Sequence, residues 1–173
     1  ADLKGKRVAM GQPGSGAQFN SELLLKILDI PVKADYMQFA DAGRAIKEGR
    51  IDAIGQSGGP VGAIKELAET NEILLIPFSD AEMDKINKTV SYFYTGNLPV
   101  NFYKGMDKPV QLPFYPAMWI GHKNLTDQVV YDILKTVYKP ANLKALGETN
   151  REWRTMQAGL DLFKNLGIPM HAG

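Results

Sequence analysis

Over the first half of the chain, short apolar runs alternate with amphipathic stretches of helical period. KRVAM (6–10) reads as a short apolar strand. GQPGSGAQF (11–19) leads from it into a helix from about Gly16 to Asp29, with Phe19, Leu23, Leu24, Ile27 and Leu28 on one face. VKADYM (32–37) predicts a second strand, and the helix from Ala40 to Glu48 closes at Gly49, a residue suited to the left-handed conformation. IDAIGQ (51–56) predicts a third strand. Pro60 then opens the helix PVGAIKELAE, which buries Val61, Ile64 and Leu67. ILLIPF (73–78) predicts a fourth strand. Strands and helices in this order imply an α/β lobe built on a parallel sheet with right-handed crossovers.

The texture changes after Phe78. A charged helix, DAEMDKINK, precedes a Tyr-, Phe-, Pro- and Gly-rich stretch (90–123) that reads as extended strands and turns. Two or three helices follow. TDQVVYDILKTVY carries Val129, Val130, Ile133, Leu134 and Val137 on a broad apolar face, and REWRTMQAGLDLF spaces Trp153, Met156, Leu160 and Phe163 helically. The expected division is an α/β ligand-binding lobe over 1–112 and a returning segment with C-terminal helices over 113–173.

Composition narrows the function classes. Of 173 residues, 45% are hydrophobic and 23% charged, as in soluble globular proteins. The formal net charge is +1 with Lys and Arg scattered, so nothing calls for nucleic acid or an anionic membrane as partner. No apolar run approaches a membrane span. Cysteine is absent, which removes disulfides, thiolate metal sites and cysteine nucleophiles without fixing the compartment. ADLKGKRV forms no signal peptide, so an exported protein would here be in processed or trimmed form.

The glycine-rich loop at 11–19 fails both nucleotide patterns. Gly11 and Gly16 have the spacing of a phosphate-binding P-loop, but Ala17 stands where its lysine is required. Gly14 and Gly16 fit the dinucleotide fingerprint, but Phe19 occupies the third glycine position, where helix and strand must approach closely. A helix amino-terminus remains. Ser15 can cap it, with Gln18 completing a capping box, and the amides of Gly16, Ala17 and Gln18 suit a carboxylate or phosphate. A plain cap and turn is the competing explanation. QSGGPVG (56–62) repeats the pattern, with Gln56, Ser57 and Gly59 between a strand and a helix. Both loops fall at the carboxyl edge of the sheet, where ligands of such folds bind. Gln12 flanks the first loop, and MQFADAG (37–43) brings Gln38 and Phe39 to the same rim, Phe39 fitting a core position equally well.

Catalysis finds little support. His122 and His171 are far apart, and no metal-binding spacing or nucleophile elbow occurs. Asp41, Asp52 and the tyrosines are the only candidate acids or bases. Asp52 reads as structural, and Asp80 with Glu82 as helix-start charges. Tyr92, Tyr94, Tyr103 and Tyr115 fit a cleft wall or strand packing alike. No metal, cofactor or catalytic residue is expected.

LKGKRVAMGQPGSGAQ, FADAGRAIKEGRIDAIGQSGGP and the ending LGIPMHAG, in this order, resemble the solute receptors of TAXI-type TRAP transporters (tripartite ATP-independent periplasmic transporters). Two departures stand out. Family members carry a further lobe before LKGKRV, so this chain resembles the second lobe plus the segment returning to the first. Gln56–Ser57 also replaces the apolar residues usual before the GxP step. The resemblance implies a type II periplasmic-binding-protein-like fold in the periplasm or another extracytoplasmic space. It implies capture of a small carboxylate or an amino acid such as glutamate, and delivery to TRAP membrane permease subunits. Gln12, Gly14, Ser15, Gly16 and Ala17 would hold a carboxylate, Gln56, Ser57 and Gly59 a second polar group, with Gln38 and Phe39 beside them. The alternatives are a metabolite enzyme on the same fold and a ligand-sensing domain cut from a longer regulator. A lobe standing alone would expose apolar surface, so a homodimer of the fragment is a further expectation.

Overall fold

A computed structural model describes residues 3–149 and 171–172. The chain divides into two compact units, one ending at Phe114 and the other beginning at Tyr115. The first unit opens with β1 (Arg7–Ala9), α1 (Gly16–Ile27), β2 (Lys33–Asp35), α2 (Phe39–Lys47), β3 (Ala53–Ile54) and α3 (Gly62–Thr70). The three strands form one parallel sheet in the order β2-β1-β3, with Ala9 opposite both Asp35 and Ile54. This is the α/β lobe that the alternating pattern predicts. Its central strand is the most apolar: Val8, Ala9 and Met10 are essentially inaccessible. Ala9 packs with Ala42 and Ala45 of α2 and with Ile51, small residues that let the helix lie close to the sheet.

Two expectations need correction. Among the described residues ILLIPF (73–78) joins no strand ladder; of its six residues only Phe78 is bonded to a strand, its amide donating to the Gln111 carbonyl at 3.0 Å. Its inward residues Ile73 and Leu75 nevertheless pack on the cluster formed by Ile64, Ala68, Tyr103 and Met106, so packing rather than pairing holds the segment. Phe19, expected on the buried face of α1, is 60% exposed, whereas Ala17, Asn20, Ser21 and Ile27 are buried. The helix turns its small residues inward because the sheet is very near: a side chain at Gly55 would collide with Ser21. Apolar periodicity identified the helix and the inward side of Leu23, Leu24, Ile27 and Leu28, but not the exposure of Phe19 or the burial of Ala17, Asn20 and Ser21.

The rest of the first unit is α4 (Asp80–Thr89) and an antiparallel hairpin of β4 (Tyr94–Leu98) and β5 (Val110–Phe114). Ser79 and Glu82 form a reciprocal capping box at α4, which accounts for the acidic start of that helix. These hydrogen bonds from Ser79 hold the Glu82 carboxyl below its ordinary range. Gln111 ties β5 to the helix start, its Nε2 donating to the Phe78 carbonyl (3.0 Å) and to Asp80 (2.9 Å).

In the second unit α5 (Asp127–Val137) begins at a Thr126 cap and is followed by α6 (Pro140–Thr149), which the periodicity did not single out. Asn142 Nδ2 closes the turn between them on the Thr136 carbonyl at 2.7 Å. The His171 ring lies 3.2 Å from the Leu125 carbonyl and 3.7 Å from Asp127, bringing the end of the chain to the start of α5. The helix expected over REWRTMQAGLDLF lies outside the described residues. No helix among the described residues is long and apolar enough to cross a membrane.

Candidate functional site

In a parallel sheet every strand-to-helix loop leaves from the same edge. Met10 N donates to the Asp35 carbonyl (2.8 Å), Met37 N to the Gly11 carbonyl (3.1 Å) and Gly55 N to the Ala9 carbonyl (2.7 Å). The three predicted loops therefore leave the sheet level with one another. Gln12, Gly14, Ser15, Gly16, Ala17, Gln38, Phe39, Gln56, Ser57 and Gly59 all belong to these loops or to the first turns that follow.

The first loop is built by local bonds. Gly11 is buried, with φ +101°, and a side chain there would lie 2.9 Å from Ala17 Cβ and 3.0 Å from Gln18 N. Only glycine suits both the backbone and the space. Ser15 caps α1 by accepting from Gln18 N at 3.2 Å, as its position predicts. Gln18 departs from the standard box. Its Oε1 accepts from Gly14 N at 2.7 Å, one residue earlier than Ser15, while Ser15 N donates to the Gln12 carbonyl at 3.0 Å. Among the described residues, the amides of Gly16 and Ala17 meet no acceptor. They are the two donors that an anion at this helix start would use. Gln12 is exposed.

A negative side chain flanks this loop. Glu22 Oε1 accepts from Gln18 Nε2 at 3.0 Å and from the Tyr36 hydroxyl at 2.9 Å. The hydrogen bond to Glu22, and then its charge, push the Tyr36 pKa up, so the phenol keeps its proton. Gln38 stands at the N-cap of α2 without capping it and is exposed, whereas Phe39 is half-buried.

The third loop is built by a distant residue. Tyr103, only 2% exposed, lies in the connection between β4 and β5 and sends its hydroxyl under residues 56–61. That oxygen accepts from Val61 N at 3.1 Å and from Gln56 Nε2 at 3.1 Å. Gln56 Nε2 also donates to the Gly58 carbonyl at 2.6 Å. The Gln56 amide thus braces its own loop. Gly59, at φ +154°, has no room for a side chain: a Cβ would meet Gln56 Nε2 at 2.9 Å and the Tyr103 hydroxyl at 3.3 Å. Ser57 is half-buried beside it. Sequence reasoning had Tyr103 among four equivalent tyrosines, and nothing local marks it, because its partners lie more than forty residues away. The others differ: Tyr92 reaches Asn20 Oδ1 at 3.4 Å, and the Tyr94 ring packs tilted on Phe114 at 5.9 Å.

Of the two candidate aspartates, one lies away from the loops and the other in the first turn of α2. Asp52 stands at the amino end of β3, the opposite edge, where Arg7 holds it twice: Nε to Oδ2 at 3.0 Å and a terminal nitrogen to Oδ1 at 2.7 Å. The Arg7 backbone amide adds a third bond at 2.8 Å. These hydrogen bonds hold the Asp52 carboxyl far below the usual carboxylate range. Asp52 is structural, as its position between turn and strand implies. Asp41 pairs with Arg44 one turn along α2.

The model of the NMT1-like family matches residues 1–173, the whole chain, and the chain belongs to that family. It is a periplasmic-binding-like family, which agrees with the α/β lobe seen here and with a substrate-binding, extracytoplasmic role.

Proposed function

We propose that this chain of the NMT1-like family is the ligand-holding part of an extracytoplasmic receptor for a small carboxylate or amino acid, glutamate-like in size and charge. The solute passes to a membrane transporter, of TRAP type by the ordered motifs of the TAXI receptors. One observation carries the reading: α1 presents two unspent amides, of Gly16 and Ala17, at the edge where all three sheet loops emerge. Helix-start amides and the helix dipole favour an anion without any need for a cationic side chain.

Gln12, Gly14, Ser15, Gly16 and Ala17 form the carboxylate cradle. Ser57 and Gly59 offer a second polar contact, and Gln56 holds that loop in place against Tyr103. Gln38 and Phe39 supply one polar and one apolar contact on the rim. Binding and release require no nucleophile, and the two aspartates weighed as acids are engaged by arginines.

Titration calorimetry against glutamate, glutamine, 2-oxoglutarate, succinate and inorganic phosphate tests the proposal. One carboxylate is expected to bind, with affinity falling on Gln12→Ala and Ser57→Ala. Binding of phosphate alone, or of a carboxylate with unchanged affinity in both variants, would overturn the assignment.

A further inference from the structure

The segment 73–77 is an edge unpaired among the described residues. Exposure along it alternates: Ile73 and Leu75 are half-buried against the cluster of Ile64, Ala68, Tyr103 and Met106, while Leu74 is 84% and Ile76 39% exposed. A period of two is that of an extended strand lying with one face on a core. Yet residues 73–77 make no backbone hydrogen bond to any described residue; the first is that of Phe78 N to Gln111. Two exposed large apolar side chains therefore lie beside a row of amides and carbonyls with no backbone partner among the described residues, a combination that invites another strand.

We propose that this edge pairs with the same edge of a second copy of the chain, antiparallel and centred on Leu75. The sequence ILLIP is self-complementary in that register. Leu74 falls opposite the second copy's Ile76 on the outer face, and Ile76 opposite its Leu74, so both exposed apolar side chains gain a cross-strand neighbour. Ile73 and Leu75 fall on the inner face, where each copy already supplies a packed cluster. No charge lies within 73–78, so the two copies meet without like-charge repulsion. Pro77 has no amide to donate, which ends the ladder symmetrically opposite Ile73. Such an isologous pair closes on itself as a dimer rather than growing into a fibre.

The absence of native cysteine makes the register directly testable. Directly opposed side chains in an antiparallel pair have Cβ atoms about 4.5–5.5 Å apart and diagonal ones about 7–8 Å. A mixture of Leu74→Cys and Ile76→Cys proteins under mild oxidation should give the mixed disulfide in clear excess over either homodimer. Light scattering after size exclusion should show the unsubstituted chain as a dimer and Leu74→Lys as a monomer. Leu74 is too exposed for that change to disturb the core, which an unaltered circular dichroism spectrum would verify. A monomeric unsubstituted chain at the highest soluble concentration would overturn the proposal. So would a dimer that survives Leu74→Lys, or disulfides formed without preference.

Discussion

The two glycine-rich loops at 11–16 and 55–61 are alike in sequence: each follows a parallel strand, carries three glycines with a serine and a glutamine, and opens a helix. They are held in different ways. The first is self-contained, with Ser15 and Gln18 of the same few residues satisfying the amides of Gln18 and Gly14. The second has no side-chain cap on α3 and depends on the hydroxyl of Tyr103, brought from the far side of α4 and β4. Among the described residues, both helix starts keep amides without an acceptor, Gly16 and Ala17 in the first and Gly62 and Ala63 in the second, but the second loop also spends its Val61 amide and its glutamine on Tyr103. Similar composition thus yields one loop closed by its own residues and one braced from a distance.

That contrast can be broken most forcefully at Tyr103. Tyr103→Ala empties a buried aromatic site and should cost about 3–5 kcal/mol in urea unfolding. Tyr103→Phe keeps the ring and orphans the Val61 amide, for about 1–3 kcal/mol. Amide exchange should quicken at Val61 in the phenylalanine variant and stay unchanged at Gln18. Equal protection at both sites in that variant would remove the distinction. At the first loop, Gly11→Ala forces a side chain into a crowded position with positive φ, expected to cost about 1–3 kcal/mol of strain. Chemical denaturation would measure it, and a neutral result would mean that the loop relaxes freely.

Ser15→Ala should cost about 1 kcal/mol, the usual worth of an N-cap, with the loss confined to α1 in amide exchange. Smallest at neutral pH is the effect of acid on the Arg7–Asp52 clamp. The folded pKa of Asp52 lies below its unfolded value, so its contribution is complete above the ordinary carboxylate range and fades as pH falls below it. Unfolding midpoints across acidic pH should show a shallower loss for Asp52→Asn than for the unsubstituted chain. Parallel curves would mean that this exposed pair contributes nothing.

Much of the fold was legible because its signals are local. Strand and helix alternation through residue 70, the caps at Ser15 and Ser79, and the structural role of Asp52 follow from period, hydrogen-bonding groups within one turn, and position. The ten candidate site residues could likewise be gathered on one edge, since a parallel sheet sends its loops the same way. What could not be read depends on distance in space. Phe19 points outward because Ser21 must pass beside Gly55, a steric limit set by another strand. The apolar run at 73–78 has the composition of a strand, but pairing needs a neighbouring edge, and no described strand takes it. Tyr103 looks like any other tyrosine until the fold brings its hydroxyl beneath residues 56–61. The sequence by itself determined the helices and loops of the α/β lobe through residue 70, which of those loops share an edge and the cap at Ser15, because those follow from groups a few bonds apart. Tertiary structure alone decided which loop is braced from a distance, which residues of α1 are buried and which apolar segment finds no strand partner among the described residues, because each is set by what the chain places next to it.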